Sequence, residues 1–335
     1  MQAEELVALL GRRHTDAAVE AALVQHAVRN RPEVRVDEDD ADGPVVETQA
    51  WVKNSKQGIE FGFDDEAAWL GLDETEFGER PMVLTQLYFY GNREGVRPYA
   101  GRMPFGLAPS DDRAAVRARM VALEATRHSY LRDTWDARDF RITVGYDAAQ
   151  ASIEFVLCML REPPLAPLPY AIASVPGAQT ILSLLAQPLD SPGVIRAFGP
   201  LGLQGRHQEI QETGEADFRV PYGLTLGFSD PLEQQPHKGS SMRVLSHVTF
   251  YRERELDARG WPGDLPRGAA FEDSPRTVVR KVGREPDVQS DDWFSGYALW
   301  HEPTHAFHVF YSTMENRLMR VSLFAPGYWD KWHEA

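Results

Sequence analysis

The segment Gly101-Arg102-Met103-Pro104-Phe105-Gly106 returns later in the chain as Gly263-Asp264-Leu265-Pro266-Arg267-Gly268. Other paired positions flank it in the same order: Leu9-Leu10 with Leu184-Leu185, Gly58 with Gly223, Tyr88-Phe89-Tyr90 with Thr249-Phe250-Tyr251, Trp135 with Trp300, and Tyr146 with Tyr311. The members of each pair lie about 160 to 175 residues apart, far more than the roughly 20 to 50 residues of a solenoid repeat. The sequence therefore predicts a tandem duplication of a whole domain, which favours a wide binding surface over an active site.

A proline-rich stretch, Glu162-Pro163-Pro164-Leu165-Ala166-Pro167-Leu168-Pro169, separates the two copies and is typical of a semi-extended spacer. A chain of 335 residues is long enough for two domains. We predict a first repeat over residues 1–160, a linker over residues 161–179 and a second repeat over residues 180–335.

Each repeat is predicted to alternate between helices and short strands. In the first repeat, apolar residues from Leu6 to Leu23 indicate an amphipathic helix, and Ile59, Phe61 and Phe63 point to one side of a strand. A second helix begins after Ser110-Asp111-Asp112, where these side chains favour a helix start. The predicted class is α+β, each half having antiparallel sheets with helices packed on one face, in the order helix–strands–helix–strands.

The charge balance argues against nucleic acid as a partner, and it fits either a basic protein partner or an acidity that serves solubility alone. The chain has 50 acidic and 35 basic residues, a net charge of −15, which repels phosphate. The densest acidic run, Asp37 to Asp42, is either a solvated loop or a patch that attracts a basic partner. The candidate partner-binding residues are Asp37, Glu38, Asp39, Asp40, Asp42, Asp64, Asp65, Glu66 and Trp69.

One segment, His301-Glu302-Pro303-Thr304-His305, fits the H-E-x-x-H pattern of zinc proteases. That chemistry needs both histidines on one face of a helix, with the glutamate as base. Pro303 opposes a helix, and the alternation of Phe307, Val309 and Tyr311 predicts a strand instead. We therefore expect a hairpin, no catalytic residues, no metal site and no cofactor. A metal-dependent hydrolase that uses His301, Glu302 and His305 is the alternative, and a non-catalytic scaffold is a third possibility.

Four further segments bear on environment and packing. Cys158 is the single cysteine and lies in an apolar run, which predicts a buried core residue rather than a disulfide. The aromatic tail Tyr328-Trp329-Asp330-Lys331-Trp332 either docks on its own domain or forms a contact surface. Residues Met1 to His14 lack the pattern of a signal peptide, and prolines interrupt the uncharged stretch Leu168 to Ala186. We expect a cytoplasmic protein without a membrane span.

Several motifs resemble bacterial immunity proteins of polymorphic-toxin and type VI secretion loci. They are Asn54-Ser55-Lys56-Gln57-Gly58-Ile59-Glu60, Tyr99-Ala100-Gly101-Arg102-Met103-Pro104-Phe105-Gly106-Leu107, Asp112-Arg113-Ala114-Ala115-Val116, Asp133-Thr134-Trp135-Asp136 and Val144-Gly145-Tyr146-Asp147. The repeated unit is also similar to the β-lactamase-inhibitor-protein fold, a tandem α+β repeat that inhibits an enzyme. The second half departs from the pattern, with Arg267 and Ala269 where Phe105 and Leu107 stand.

The resemblance implies a stoichiometric inhibitor without catalytic residues. The expected function is that of a cytoplasmic immunity protein that blocks the active site of a cognate toxin. Because the chain is acidic, a toxin with a basic groove, such as a nuclease, is the expected partner. Nucleic acid and membrane are not expected as partners.

Overall fold

The chain folds as two compact units, Met1–Ala166 and Pro167–Ala335, in a computed structural model. The structure describes residues 2–37, 45–72, 74–123, 125–129, 131–232 and 243–333. Each unit combines helices with a large antiparallel sheet of seven strands, counted over these described residues.

The first unit contains a seven-stranded sheet and a separate two-stranded ribbon. Its elements are α1 (Ala3–Val7), α2 (Ala17–Gln25), β1 (Arg35–Asp37), β2 (Val45–Glu47), β3 (Gln49–Asn54), β4 (Ile59–Asp65), α3 (Glu66–Leu70), β5 (Met82–Tyr90), α4 (Arg113–Arg119), β6 (Ala125–His128), β7 (Arg132–Asp136), β8 (Phe140–Tyr146) and β9 (Ile153–Leu160). The sheet has the order β3-β4-β5-β9-β8-β7-β6, and β1 pairs with β2 in the ribbon.

Apolar residues of β4 and of three helices share one buried core in the first unit. Phe61 and Phe63 are almost fully buried and belong to one cluster with Leu6, Leu23 and Val116 from three helices. Cys158 is also fully buried in that cluster, which confirms it as a core residue.

The prediction of one helix from Leu6 to Leu23 is wrong, because the segment between α1 and α2 runs beside β5. The Gly11 N–H donates to the Leu84 carbonyl at 2.8 Å, and the Leu84 N–H donates to the Arg12 carbonyl at 2.8 Å. The new helix begins at Ala17, directly after its N-cap Asp16, whose side chain accepts a hydrogen bond from the Ala18 N–H. An aspartate in this position satisfies an otherwise unpaired helix donor and so starts α2 afresh.

The second unit has its own seven-stranded sheet. Its elements are α5 (Ala178–Leu184), α6 (Pro192–Phe198), α7 (His207–Thr213), β10 (Glu215–Phe218), α8 (Arg219–Tyr222), β11 (Leu224–Ser229), β12 (Val244–Tyr251), α9 (Pro275–Val282), β13 (Val288–Asp291), β14 (Ser295–Glu302), β15 (His305–Ser312), β16 (Arg317–Phe324) and α10 (Tyr328–His333). The strand order is β10-β11-β12-β16-β15-β14-β13. Counted from the first strand of each sheet, this order matches that of the first unit at every position.

The two sheets also share their irregularities. The pairing of β4 with β5 shifts register between Gly62 and Phe63, and that of β11 with β12 shifts between Gly227 and Phe228. A second shift falls between Gly145 and Tyr146 in the first unit and between Phe310 and Tyr311 in the second. A bulge adds a residue at one defined place and bends the strand, so shared bulges indicate more than a shared strand count.

The repeated glycines adopt the same backbone conformation in both units. Gly58 has φ of 63° and Gly223 has φ of 60°, a left-handed region that favours glycine. A Cβ atom at Gly58 would lie 2.4 Å from the Arg97 carbonyl oxygen, and one at Gly223 would lie 2.4 Å from the Trp261 nitrogen. Each turn therefore requires glycine for both its dihedral angle and its close backbone approach.

The aromatic tail docks on its own unit. Tyr328 is fully buried, and its hydroxyl donates to the Asp230 carbonyl oxygen at 2.8 Å. Trp329 packs in a small cluster with Leu299 and Ala306. Among the residues that the structure describes, no helix has the length and apolar character that crossing a membrane requires.

Candidate functional site

The ribbon of β1 and β2 contains Asp37, the first residue of the densest acidic run. Asp37 at the end of β1 pairs with Val45 at the start of β2, and Arg35 pairs with Glu47. Four of the candidate residues, Glu38, Asp39, Asp40 and Asp42, lie outside the described residues. The structure thus describes this run only at Asp37.

Asp64 lies on β4 and is engaged within the first unit. Its carboxylate accepts a hydrogen bond from the Gln49 side chain at 2.8 Å and another from the Thr85 hydroxyl. Burial raises the pKa of Asp64, although the bonds from Thr85 and Gln49 act in the opposite direction. This carboxylate therefore joins β3, β4 and β5 to one another.

Asp65 and Glu66 hold α3 in place. Asp65 is fully buried and accepts hydrogen bonds from the N–H groups of Ala67 at 2.9 Å and Ala68 at 3.1 Å, which caps the helix. Glu66 forms an ion pair with Arg13, at 2.8 Å. Trp69, on the same helix, is half-buried. In this conformation the Asp65 carboxylate is inaccessible to a partner, whereas Trp69 keeps part of its surface in solvent.

A cleft of about 530 Å³ lies between the ribbon and the edge strand β3, and we call it the edge cleft. Its volume is within the roughly 300–1,000 Å³ of typical ligand sites. The lining residues are Asn30, Arg31, Glu33, Arg35, Glu47, Gln49, Ala50, Trp51 and Val52.

The charges of the edge cleft are unequally compensated. Arg31 is held by Glu20 through two bonds of 2.6 and 2.7 Å, and it also donates to the Val28 carbonyl at 2.7 Å. Arg35 is only 4.0 Å from Glu33. Among the described residues Glu47 forms no ion pair. A carboxylate is thus left available for a cation beside β3.

Trp51 is the exposed aromatic residue of this cleft, with 42% of its surface in solvent. Its indole lies over Gly62 of β4, where a Cβ atom would be 2.5 Å from the ring. On one side it meets Tyr88 edge-on, with ring centroids 5.8 Å apart. Tyr88 in turn stacks on Tyr90, at 5.9 Å. The ring is therefore fixed in orientation while one part of it faces solvent. The sequence alone does not distinguish a core role from a contact role for Trp51.

The H-E-x-x-H segment forms the predicted hairpin. β14 ends at Glu302 and β15 begins at His305, and these two residues pair across the turn. The Glu302 carboxylate forms ion pairs with Arg267 at 3.0 Å and Arg284 at 3.7 Å. Burial lowers the pKa of His305. The helix that zinc proteases need is replaced here by a strand pair, and the described residues contain no group of three potential metal ligands.

An ionic cluster in the first unit was not predicted from the sequence. The fully buried Asp133 carboxylate accepts hydrogen bonds from Arg113, from Arg117 at 2.7 Å and from Tyr146 at 3.3 Å, and it contacts His128 Nδ1 at 2.8 Å. Burial by itself raises the pKa of Asp133, but the bonds from His128, Arg117 and Arg113 outweigh it and hold the pKa well below its usual value. The i, i+4 spacing of the two arginines was the available signal.

The second unit has neutral side chains at the corresponding positions. Two residues before the buried tryptophan of each unit stand Asp133 and Ala298. After the helix caps Asp112 and Ser274, the positions of Arg113 and Arg117 are taken by Pro275 and Val279. The cluster is thus a local addition to a framework that both units share.

Comparisons with known proteins give no family for this chain. No family model matches it, and no curated protein and no solved structure matches it significantly. The function is therefore inferred from the residues and their geometry.

Proposed function

We propose that this protein is an immunity protein, a non-catalytic inhibitor that binds a cognate bacterial toxin and blocks its active site. The toxin acts in the cytoplasm, where this chain also resides, and a nuclease with a basic substrate groove is the preferred target. The resemblance of the motifs around Gly101, Asp112 and Trp135 to immunity proteins supports this assignment.

One observation carries the proposal: Glu47 and the exposed ring of Trp51 line one cleft, beside the ribbon strand that ends with Asp37. Asp37 is the first residue of the acidic run and pairs with Val45. An acidic patch next to an exposed aromatic ring combines electrostatic attraction with apolar contact area. The net charge of −15 acts in the same direction.

We further infer that the two units descend from one duplicated domain, with helices packed on one face of each sheet. The common strand order and the common bulges support the duplication. The helix residues Leu6, Leu23 and Val116 share a core with Phe61 and Phe63 of β4, which supports the placement of the helices in the first unit.

The test uses the product of the gene immediately upstream as the candidate toxin. Co-expression of the wild-type chain in a bacterial host should restore growth, and the purified proteins should form a complex. A variant in which Glu38, Asp39, Asp40 and Asp42 become the corresponding amides should associate about tenfold more slowly at low salt, because electrostatic attraction accelerates encounter.

The matched control removes four exposed charges from the second unit, by amide substitutions at Glu212, Asp257, Asp264 and Glu285. This variant keeps the same net charge as the test variant, so a difference between the two reports position rather than total charge. Equal association rates for the two variants would contradict the acidic-run contact. Failure of the wild-type chain to restore growth would contradict the immunity function.

The second candidate function is a metal-dependent hydrolase that uses His301, Glu302 and His305. The hairpin geometry gives it little support, because Glu302 is paired with Arg267 and Arg284. Elemental analysis of the purified protein separates the two candidates, since near-stoichiometric zinc would favour the hydrolase.

A further inference from the structure

The edge strand β3 presents backbone hydrogen-bonding groups away from its sheet. The Asp65 N–H donates to the Thr48 carbonyl at 2.7 Å, so the backbone groups of Thr48 point towards β4. In an antiparallel pair every second residue does the same, so the backbone groups of Ala50 and Val52 also point towards β4. The N–H and C=O groups of Gln49, Trp51 and Lys53 consequently point outward. Among the described residues, none bonds to these backbone groups.

The corresponding edge of the second unit is closed. There β10 occupies the edge, and its outward N–H groups are satisfied by side chains from α7. The Glu215 N–H donates to the Thr213 hydroxyl at 3.1 Å, and the Asp217 N–H donates to the Glu209 carboxylate at 2.9 Å. Proteins commonly cover their edge strands, because an open one pairs with other chains. Over the part of the chain that the structure describes, the open edge of β3 is thus a specific difference between two otherwise similar sheets.

The edge cleft provides space and chemistry along this open edge. Its volume of about 530 Å³ adjoins residues 49–52 of β3. Trp51 offers an indole face to a flat apolar or guanidinium group, which such rings attract. Glu47 offers a carboxylate to a cation, since Arg31 is already held by Glu20. Backbone pairing with side-chain selection at alternate positions is how sheets recognise extended peptides.

We propose that β3 binds an extended segment of the protein partner by strand addition, with a lysine or arginine of that segment against Glu47 and a flat side chain on Trp51. This inference rests on the proposed function, because it gives the binding mode of the same partner. The partner segment becomes an eighth strand beside β3, and its backbone bonds to Gln49, Trp51 and Lys53.

A phage-displayed library of random peptides of about twelve residues, long enough to span an ordinary strand, is the probe. Selection on the wild-type chain should yield peptides rich in arginine, lysine and aromatic residues. Added as synthetic peptides, they should slow hydrogen exchange at the amides of Gln49, Trp51 and Lys53. That measurement needs no variant.

Two substitutions at one position separate the backbone from the side chain. Lys53→Pro removes an outward N–H, which an edge strand tolerates, and should weaken peptide binding about tenfold. Lys53→Ala keeps the N–H and is the matched control, with less than about a twofold change. The thermal midpoint of Lys53→Pro shows whether the unit remains folded, and Trp51→Ala should weaken binding independently.

Four results would overturn the inference: no selected peptide, protection elsewhere than β3, equal binding by the two Lys53 variants, or protection that grows with protein concentration alone. The last would mean that β3 pairs with a second copy of this chain. The outcome of the growth assay with the upstream gene product does not depend on these results, so the binding mode and the immunity function are tested separately.

Discussion

At the scale of single residues, Asp133 carries the sharpest stability prediction. Replacing it by asparagine leaves Arg113 and Arg117 without their buried carboxylate, so Asp133→Asn should lower the free energy of unfolding by about 3 kcal/mol at pH 7. Asp139 lies exposed in the turn between β7 and β8, and Asp139→Asn is the matched control, with little expected change. Denaturant unfolding of the three proteins measures this.

The same residue gives a dependence on pH. The folded-state pKa of Asp133 lies below the unfolded-state value of about 3.9, so the ionised group stabilises the fold above that pH. The contribution is lost as the pH falls from about 5 through the folded-state pKa. The difference in unfolding free energy between wild type and Asp133→Asn should therefore shrink on acidification. A difference that stays constant between pH 7 and pH 3 would contradict the assignment.

Glycine 58 gives a second prediction at this scale. Gly58→Ala places a Cβ atom 2.4 Å from the Arg97 carbonyl oxygen in a left-handed turn, and should cost about 3 kcal/mol or more. Gly95 also has a positive φ, of 76°, but nothing lies within 4 Å of the position that a Cβ atom would take there. Gly95→Ala should therefore cost only about 1 kcal/mol, for the dihedral angle alone. If denaturant unfolding shows that Gly58→Ala and Gly95→Ala lower the free energy of unfolding equally, the close approach to Arg97 is not the cause.

At the scale of elements, the docking of α10 can be tested by comparing substitutions of the buried Trp329 on α10 and of the partly exposed Trp51 on β3. Trp329 is buried against Leu299 and Ala306, so Trp329→Ala should lower the free energy of unfolding by about 3 kcal/mol. Trp51 on β3 is 42% exposed, and Trp51→Ala should cost about 1 kcal/mol. Similar losses from both substitutions would mean that the tail contributes no more than a surface residue.

The elements that the sequence predicted well are those with a local signal. The alternation of Ile59, Phe61 and Phe63 identified β4, and Ser110-Asp111-Asp112 marked the start of α4. The division between α1 and α2 was missed, because the segment around Gly11 is fixed by bonds to the distant β5. The edge strands β6 and β13 are short, and β13 is exposed throughout, so neither leaves an apolar pattern.

The candidate site was predictable only in part, for a similar reason. The acidic run and Trp51 stand out in the sequence, but composition does not reveal that Asp65 caps a helix or that Glu66 pairs with Arg13. The openness of β3 depends on what lies beside it in space. The cluster around Asp133 joins residues from α4, β6, β7 and β8, which only the folded chain brings together.

At the scale of the whole molecule, the single thiol reports on one unit only. Cys158 is fully buried, and burial raises its pKa, so a thiol reagent should label it only when the first unit opens. Gly58→Ala should shift the labelling transition to lower denaturant concentration, and the equivalent Gly223→Ala should shift it less, because each unit has a core of its own. Equal shifts from the two substitutions would show that the whole chain opens as one cooperative body.

The neutral side chains that replace the Asp133 cluster in the second unit have a consequence for survival in acid. The two sheets share one strand order but differ in charge at these positions. The first unit depends on the ionised Asp133 carboxylate, whereas the second unit has the neutral residues Pro275, Val279 and Ala298. Acid should therefore weaken this part of the first unit and spare its counterpart, while each unit keeps other carboxylate–arginine pairs, such as Asp136 with Arg127 and Glu315 with Arg317. Replacing Arg113, Arg117 and Asp133 together by their neutral counterparts should remove this one source of acid sensitivity and leave the others in place.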